Sequence, residues 1–509
     1  MRVSRESPVR LIAFVRRLWP RISVLWVGLG LVSWSRSSQV LFKLRSLRAL
    51  LNRSGTPCGR PGDSTGRVAR AVAILELLVL LAAMPLLLFP SYWSHWTAFA
   101  LVGLLLVWLL RWAVQRELWP LTPFNGALVL FVVTIPVAVW ASALPELTIP
   151  KLAGLILGLA AFRAIALAVH NRNTLGWGLV VFSLLGLGMT AAGVLGAGWP
   201  AKVRLLQPLV ARLPRLLAGL PGAPAEGINP NQLAGLLMLY LPFSAAGVLG
   251  WWQERHPWPA LVSLAGLGLA AGTLTLTQSR GGWVGGACGM LALAVLWALS
   301  SQRRWLRILA VVTPALIVAV TISTVLYVGP GRVGEILYGA EPSVKLEQAV
   351  GQISITGRVE IWSRAIYAIQ DFPFTGTGLG TFRRVVNLLY PLFLVGPDVD
   401  IAHAHNMFLQ VAVDLGLPGL VAYLALLWLA GVVTWQVARR GSPVVRATAL
   451  GLLAGLIGLH VYGLTDALAP GSKPGLAFWV ALGLIAALPR VVKARESWPA
   501  DDPSLSPGQ

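Results

Sequence analysis

His403 and His405 open the run His403-Ala-His405-Asn406-Met-Phe-Leu-Gln410-Val-Ala-Val-Asp414-Leu-Gly416-Leu-Pro418-Gly419-Leu420, where two imidazoles, an amide and a carboxylate crowd into an oily chain. Polar groups are costly in hydrocarbon and need a partner, a cavity or water. An imidazole with a near-neutral pKa can take the proton of an attacking hydroxyl, so either histidine is a candidate base. Asn406 could hold a sugar or orient the ring. Asp414 lies nine residues past His405, about half a turn round in helical phase, so it is no direct partner unless the helix breaks.

Four further constellations are polar against the apolar background. Asn229-Pro230-Asn231-Gln232 carries amides beside helix-start residues. In Thr277-Gln278-Ser279-Arg280-Gly281-Gly282-Trp283 the glycines admit close backbone approach. The guanidinium there could fork onto two phosphate oxygens, and the helix start behind it offers free N–H groups. Thr356-Gly357-Arg358-Val-Glu360-Ile-Trp362-Ser-Arg364 reads as an amphipathic helix, with Trp362, Ile366 and Ile369 on one side. The glycines of Pro373–Phe382 have no strand–helix unit around them, which excludes a dinucleotide loop. Asp466 follows Gly463-Leu-Thr465 and could pair with an arginine.

Composition says what must position these groups. The 509 residues are 56% hydrophobic and 12% charged, against about 25% charged in soluble domains. Mean hydropathy is +0.72. The chain reads as a polytopic membrane protein, and its 22 tryptophans suit the membrane–water boundary. The net charge of +22 does not point to nucleic acid. Residues 1–70 hold fourteen Lys/Arg against Glu6 and Asp63, most of the remainder sits in short loops, and no basic stretch is interleaved with aromatics. Cys58 and Cys288 fall in different environments, so neither a disulfide nor a thiolate metal site is expected.

A span needs about 20 apolar residues. Twelve are expected, near 71–90, 96–114, 123–141, 149–169, 175–196, 231–250, 258–277, 282–300, 306–328, 412–436, 445–464 and 474–490. Every even-numbered end is basic, for instance Arg303 and Arg304 or Arg439 and Arg440, while Ser91–His95 and Ser142–Pro150 carry no Lys or Arg. Both termini are therefore expected in the cytoplasm and the odd-numbered ends outside. Three outward segments nonetheless hold arginine: Gly198–Pro230 with Arg204, Arg212 and Arg215; the turn at Arg280; and Gly329–Ala404 with Arg358. Arginines that defy the orientation rule point to an anionic ligand. Leu205 to Leu220 line one face of an expected surface helix interrupted by Pro208 and Pro214.

Taken together, these stretches resemble the O-antigen ligase/polymerase family of bacterial envelope polysaccharide enzymes, which includes relatives labelled as bicarbonate transporters. The resemblance rests on the His-Asn…Gly-x-x-Gly-Leu run, Ser279-Arg280-Gly281, the Arg358…Trp362 helix, the Pro373–Phe382 glycine turn and the Thr465-Asp466 segment followed by Trp479. It covers about residues 70–490 and implies an all-α, GT-C-like polytopic fold. The implied reaction is glycosyl transfer outside the cytoplasmic (inner) membrane. The donor would be an undecaprenyl-diphosphate-linked glycan and the acceptor a hydroxyl on a glycan, lipid or protein, with no metal and no cofactor. His405 would be the base, with Arg280 and Arg358 on the diphosphate. Asn231, Asn406, Asp466, Arg204, Arg212 and Arg215 would bind substrate. Membrane lipids are partners and nucleic acid is not.

The expected organisation is a basic cytoplasmic extension 1–70, spans 1–9 over 71–328, an extracytoplasmic helical loop 329–404, the motif helix with spans 10–12 over 405–490, and a cytoplasmic tail 491–509. Two other classes are carried beside the enzyme. A secondary transporter of a small anion would require mid-membrane ionisable groups and inverted repeats. A non-catalytic envelope scaffold would leave His405 dispensable.

Overall fold

In the computed structural model, residues 64–90, 94–199, 206–213, 228–329, 355–395 and 400–496 are described. They are helical almost throughout, as an all-α polytopic membrane protein requires. The helices are α1 Ser64–Leu88, α2 Ser94–Gln115, α3 Asn125–Trp140, α4 Pro145–Ala168, α5 Arg172–Gly196, α6 Gln207–Val210, α7 Pro230–Gln253, α8 Pro257–Thr277, α9 Arg280–Ser300, α10 Arg304–Val328, α11 Ile355–Asp371, α12 Phe382–Leu389, α13 Met407–Ala438, α14 Pro443–Tyr462 and α15 Gly475–Glu496.

Chain contacts define two units. The small one comprises residues 1–71 and 114–116, and among its described residues Gln115 Nε2 donates to the carbonyl of Ala69 at 2.9 Å. The larger unit, 72–113 with 117–509, holds the core and every site discussed below.

Among the described residues, eleven helices are long and apolar enough to cross a membrane. The twelfth expected span is α3, which has only 16 residues. It rises about 24 Å, short of the roughly 30 Å hydrocarbon core. Its start is fixed early by Asn125, whose side chain meets Thr122 Oγ1 at 2.5 Å and donates to Pro120 O at 3.1 Å. Of the expected surface helix over Leu205–Leu220, the described residues 206–213 hold α6, four residues with Pro208 in its first turn. Residues 214–227, and with them Arg215, lie outside the described residues, as do Arg204 and Cys58.

The sequence starts its helices in recognisable ways. Proline sits in the first turn of α4, α7, α8 and α14, where the missing N–H costs nothing. Asn171 and Thr174 close a reciprocal cap on α5. Helices α9 and α14 approach until an added Cβ on Gly285 would lie 2.9 Å from Gly458 O, and one on Gly458 2.9 Å from Gly285 O. Such close contact of small residues is how helices hold together where water supplies no driving force. Inside the membrane, Glu76 bridges Arg111 at 2.6 Å and Arg163. Arg163, fully buried, also donates to Leu118 O and lies over the Trp108 ring.

Helix α13 begins at Met407, five residues before the expected 412, and it is broken at Gly416 (φ 71°, ψ 178°). Leu417 N would bond Val413 O in an unbroken helix. Instead Leu417 N donates to Pro373 O at 2.7 Å, and Val413 O accepts from Thr377 N at 2.8 Å. The glycine turn before α12 thus replaces the lost helical bond with two others, as buried backbone demands. Asp414 adds a third link, accepting from Gly380 N at 2.9 Å, and so is not a partner of His405. A Cβ on Gly416 would sit 2.4 Å from Phe374 O, and one on Gly376 (φ 66°) 2.4 Å from Val413 O. Gly416→Ala is therefore expected to cost at least about 2 kcal/mol through strain and clash. Thermal unfolding in detergent should reveal it as a clear fall in Tm relative to Gly431→Ala, where a Cβ meets open space.

Candidate functional site

The site forms where the start of α13, the end of α14, the starts of α7 and α9, and one face of α11 meet. Asn406 caps α13, its Oδ1 accepting from Phe408 N and Leu409 N at 3.0 and 3.1 Å, while its Nδ2 donates to Leu464 O at 3.1 Å. Met407 N donates to Gly463 O at 2.6 Å. These bonds hold the histidine segment against the segment carrying Asp466. From α7, Asn231 offers its carbonyl to Tyr462 OH at 2.6 Å, and the same hydroxyl lies 2.9 Å from Asp466 Oδ2. From α9, Ser279 caps the helix through Gly282 N at 3.3 Å. Gly281 lies so close to Thr465 that a Cβ would stand 2.9 Å from its hydroxyl. Arg280 is thereby set beside the Asp466 segment, with its side chain exposed.

Helix α11 is held by a small core of its own, with Ile361, Ala365, Phe382, Val386, Ile401 and Val413 buried together. Glu360 strengthens it by accepting the N–H groups of Phe393, Leu394 and Val395 at 2.7, 2.9 and 3.0 Å. Arg358 and Trp362, one helical turn apart, then share the face toward the histidines. Trp362 Nε1 donates to His405 O at 3.1 Å. Arg358 exerts its charge on His403, His405 and Asp466, and its Nε is buried without a hydrogen-bond partner.

At the centre, Asp466 Oδ1 lies 3.3 Å from His403 Nε2 and 3.7 Å from His405 Nδ1. The two rings stand 4.4 Å apart. His403 Nδ1 accepts the His405 N–H at 3.2 Å. Its proton must then sit on Nε2, facing Asp466, so both nitrogens are committed. His405 Nδ1 is buried and unpartnered within the hydrogen-bond limit. A small shift toward Asp466 would make it a donor and leave the lone pair on Nε2. The backbone at His405 is left-handed (φ 47°), a conformation unusual for a residue with a side chain.

Burial lowers both imidazole pKa values. Mutual proximity and Arg358 add to this for His405, which is pushed down to about 3 despite Asp466. Burial likewise lowers His403, helped by Lys151 and Arg358. Burial would raise the Asp466 carboxyl, but His403, His405, Arg358 and the Ala467 N–H outweigh it and hold it below 3.8. The resting site is thus two neutral imidazoles around one carboxylate, with cations beside them.

Among the described residues His403, His405 and Asp466 also present ligand atoms within 4.8 Å of one another, a spacing that suits a metal ion. The hydrogen bonding does not favour one. A metal on His403 Nε2 would require that ring to give up its proton while Nδ1 still accepts an N–H. The nearby charges of Arg358 and Lys151 favour an anion instead.

The structure therefore brings Asn231, Arg280, Arg358, His403, His405, Asn406 and Asp466 to one end of the bundle. Asn231 takes part through its backbone, and Asn406 through a cap. Asp466 faces the histidines in preference to an arginine partner. Arg212 is exposed just past α6. Sequence reasoning missed Lys151, Tyr462 and Gln410, whose Oε1 accepts Ala404 N at 2.7 Å. Lys151 carried a readable signal, since it stands in the first turn of an expected apolar span directly after a loop without Lys or Arg.

The lowered imidazole values have a consequence for stability. A histidine whose folded pKa falls below 6.5 contributes stability that is complete above 6.5 and shrinks as pH falls toward the folded value. Tm should therefore fall as pH drops from 7 toward about 4, and His405→Gln should flatten part of that slope. Identical slopes for the two proteins would contradict the assignment.

No curated protein matches the chain. The family model described as O-Antigen ligase matches residues 265–424, which include Arg280, Arg358, the glycine turn and the run from His403 to Gly419. Asn231 and Asp466 lie outside the match and reach the same site only through the fold. By this match, the stretch from within α8 to the middle of α13 is similar to the O-antigen ligase family.

Proposed function

We propose that the chain transfers a glycan from an undecaprenyl-diphosphate-linked donor to a sugar hydroxyl, on the extracytoplasmic side of the cytoplasmic membrane and without a metal. The match to the O-antigen ligase family over residues 265–424 supports a ligase or polymerase type of activity; the donor, the acceptor and the side are our reading. The observation that carries it is the His403–Asp466–His405 arrangement beside Arg358.

The acceptor hydroxyl oxygen attacks the anomeric carbon of the donor, and the bond from that carbon to the diphosphate oxygen breaks. His405 Nε2 takes the hydroxyl proton while Nδ1–H turns to Asp466. The carboxylate thus stabilises the imidazolium that forms and fixes the tautomer, a division of labour familiar from other His–Asp pairs. His403, with both nitrogens engaged, positions Asp466. The departing diphosphate gains negative charge, which Arg280 and Arg358 offset as fixed cations in the role a divalent ion plays elsewhere. Burial keeps His405 unprotonated in the free enzyme, ready to accept a proton without first losing one.

A transporter reading draws less support. Glu76 and Arg163, the mid-span charges that would favour it, are bound to each other, and Glu76 also binds Arg111, which suits a structural clamp.

Purified protein supplied with a lipid-diphosphate glycan and an acceptor should release undecaprenyl diphosphate. His405→Ala is expected to slow release about 10²–10⁴-fold, the usual worth of a general base; normal release by a folded variant would remove His405 from the chemistry. Because His405 is neutral down to about 3, kcat/KM should show no inflection near 6.5 on its acid side, over roughly pH 5 to 8. For sidedness, Phe393 is 78% exposed in the loop after α12. A cysteine there, in a chain otherwise free of cysteine, should react with a membrane-impermeant maleimide on spheroplasts of an expressing bacterium; labelling only after lysis would reverse the orientation.

A further inference from the structure

We infer that the opposite end of the bundle holds a second site, one that binds the phosphate head of an anionic phospholipid. Helix α14 runs from Pro443 to Tyr462, so its start lies about 30 Å from the histidine cluster. A cavity of about 400 Å³ opens there between the starts of α5 and α14 and the end of α7. Its polar lining is Arg172, Asn173, His256 and Ser442.

Ser442 is the residue that points to a ligand. It occupies the cap position of α14 yet makes no capping bond. It is 7% exposed, and its hydroxyl is buried without a hydrogen-bond partner while lining the cavity. A buried hydroxyl left unbonded is costly, and here it sits at the positive end of a 20-residue helix. Arg172 stands at the same opening. Its guanidinium pairs with Glu254 but stays 56% exposed, and Glu254 is itself tied to Val444 N at 3.0 Å. The pairing fixes the cation in place and leaves it able to donate outward. The α4–α5, α7–α8 and α13–α14 connections, with the helix starts that follow them, carry Arg172, Arg255, Arg439, Arg440 and Arg446 against Glu254 alone among carboxylates, so a single negative ligand is welcome.

The rest of the lining separates a lipid from a free anion. Below the polar mouth the cavity is walled by Leu175, Leu179 and Trp251. A narrower space of about 50 Å³ shares Leu179, Trp251 and Val444 with it and leads on to Phe243 and Gly247 along the helices; Ser183, Ser263 and Thr448 line it too, the last two with their hydroxyls bonded within their own helices to Pro259 O and Val444 O. Inorganic phosphate would leave that extension unused, whereas the first carbons of an acyl chain would pass along Leu179, Phe243 and Trp251. Trp177, 72% exposed at the rim, is the residue type that settles at a membrane boundary. Under the orientation proposed above, this end faces the cytoplasmic leaflet, where anionic lipid attracts basic loops. The site does not depend on the transferase reading.

The test uses the full chain, delipidated in detergent and titrated with phosphatidylglycerol, phosphatidylcholine or inorganic phosphate, with bound lipid counted by native mass spectrometry and Tm followed in parallel. Phosphatidylglycerol should be retained and should raise Tm, and the other two should do neither. Arg172→Gln is expected to weaken retention about tenfold, the worth of one charge-assisted hydrogen bond. Because losing Arg172 also frees Glu254, a second variant leaves the ion pair intact. Gly176 lines the cavity and a Cβ there meets open space, so Gly176→Phe should fill it, fold normally and lose the lipid. Equal retention of phosphatidylglycerol by wild type and Gly176→Phe would overturn the inference. So would protection by inorganic phosphate equal to that of the lipid, which would make the site a receptor for soluble anions.

Discussion

The break in α13 at Gly416 is the constraint on which the functional end depends. A helix that stops bonding to itself inside a membrane must find other partners for its backbone. Here the partners are Pro373 O and Thr377 N of the glycine turn. The turn is therefore held by the helix, and the helix by the turn. Because the turn links α11 to α12, the break also ties the small core that carries Arg358 and Trp362 to the helix that carries His405. Pro418 belongs to the same design. It has no N–H to offer Asp414 O, so the helix is weakened at the place where the turn enters.

Around that scaffold the electrostatics are lopsided by construction. One carboxylate, Asp466, faces two imidazoles, with Arg358 and Lys151 close enough to act on them. Arg358 and Lys151 are half-buried, and Asp414 acts on Lys151 as Asp466 does on Arg358; withdrawing cations from water is costly, a cost that an anionic ligand would offset further. The Glu76–Arg111–Arg163 cluster shows the contrasting solution. There the carboxylate lies between the two guanidiniums, and Arg163 is closed from solvent on every side.

Much of this was legible in the chain. Apolar run lengths gave the helices, because the bilayer fixes how long they must be. Arginines in the wrong loops singled out Arg280 and Arg358. What stayed hidden depended on side-chain direction and on breaks in periodicity. Helical phase separated Asp414 from His405, but nothing in the spacing said that Asp414 would reach Gly380 N instead. Asp466 looked ready for an arginine because charge invites charge; its histidine neighbours emerge only when Met407 N meets Gly463 O. Tyr462 read as one more apolar residue at a helix end. The shortness of α3 was masked by apolar residues that continue past its turns.

The left-handed backbone at His405 has a further meaning. Glycine would rest in that conformation at no steric cost, whereas a residue with a Cβ must be held there by its surroundings. The bonds that Trp362 and Asn406 make to this segment are such a restraint. A chain shaped for folding alone would place glycine at 405. Carrying an imidazole there sacrifices some conformational ease so that a ring nitrogen can stand where a backbone turn would otherwise suffice.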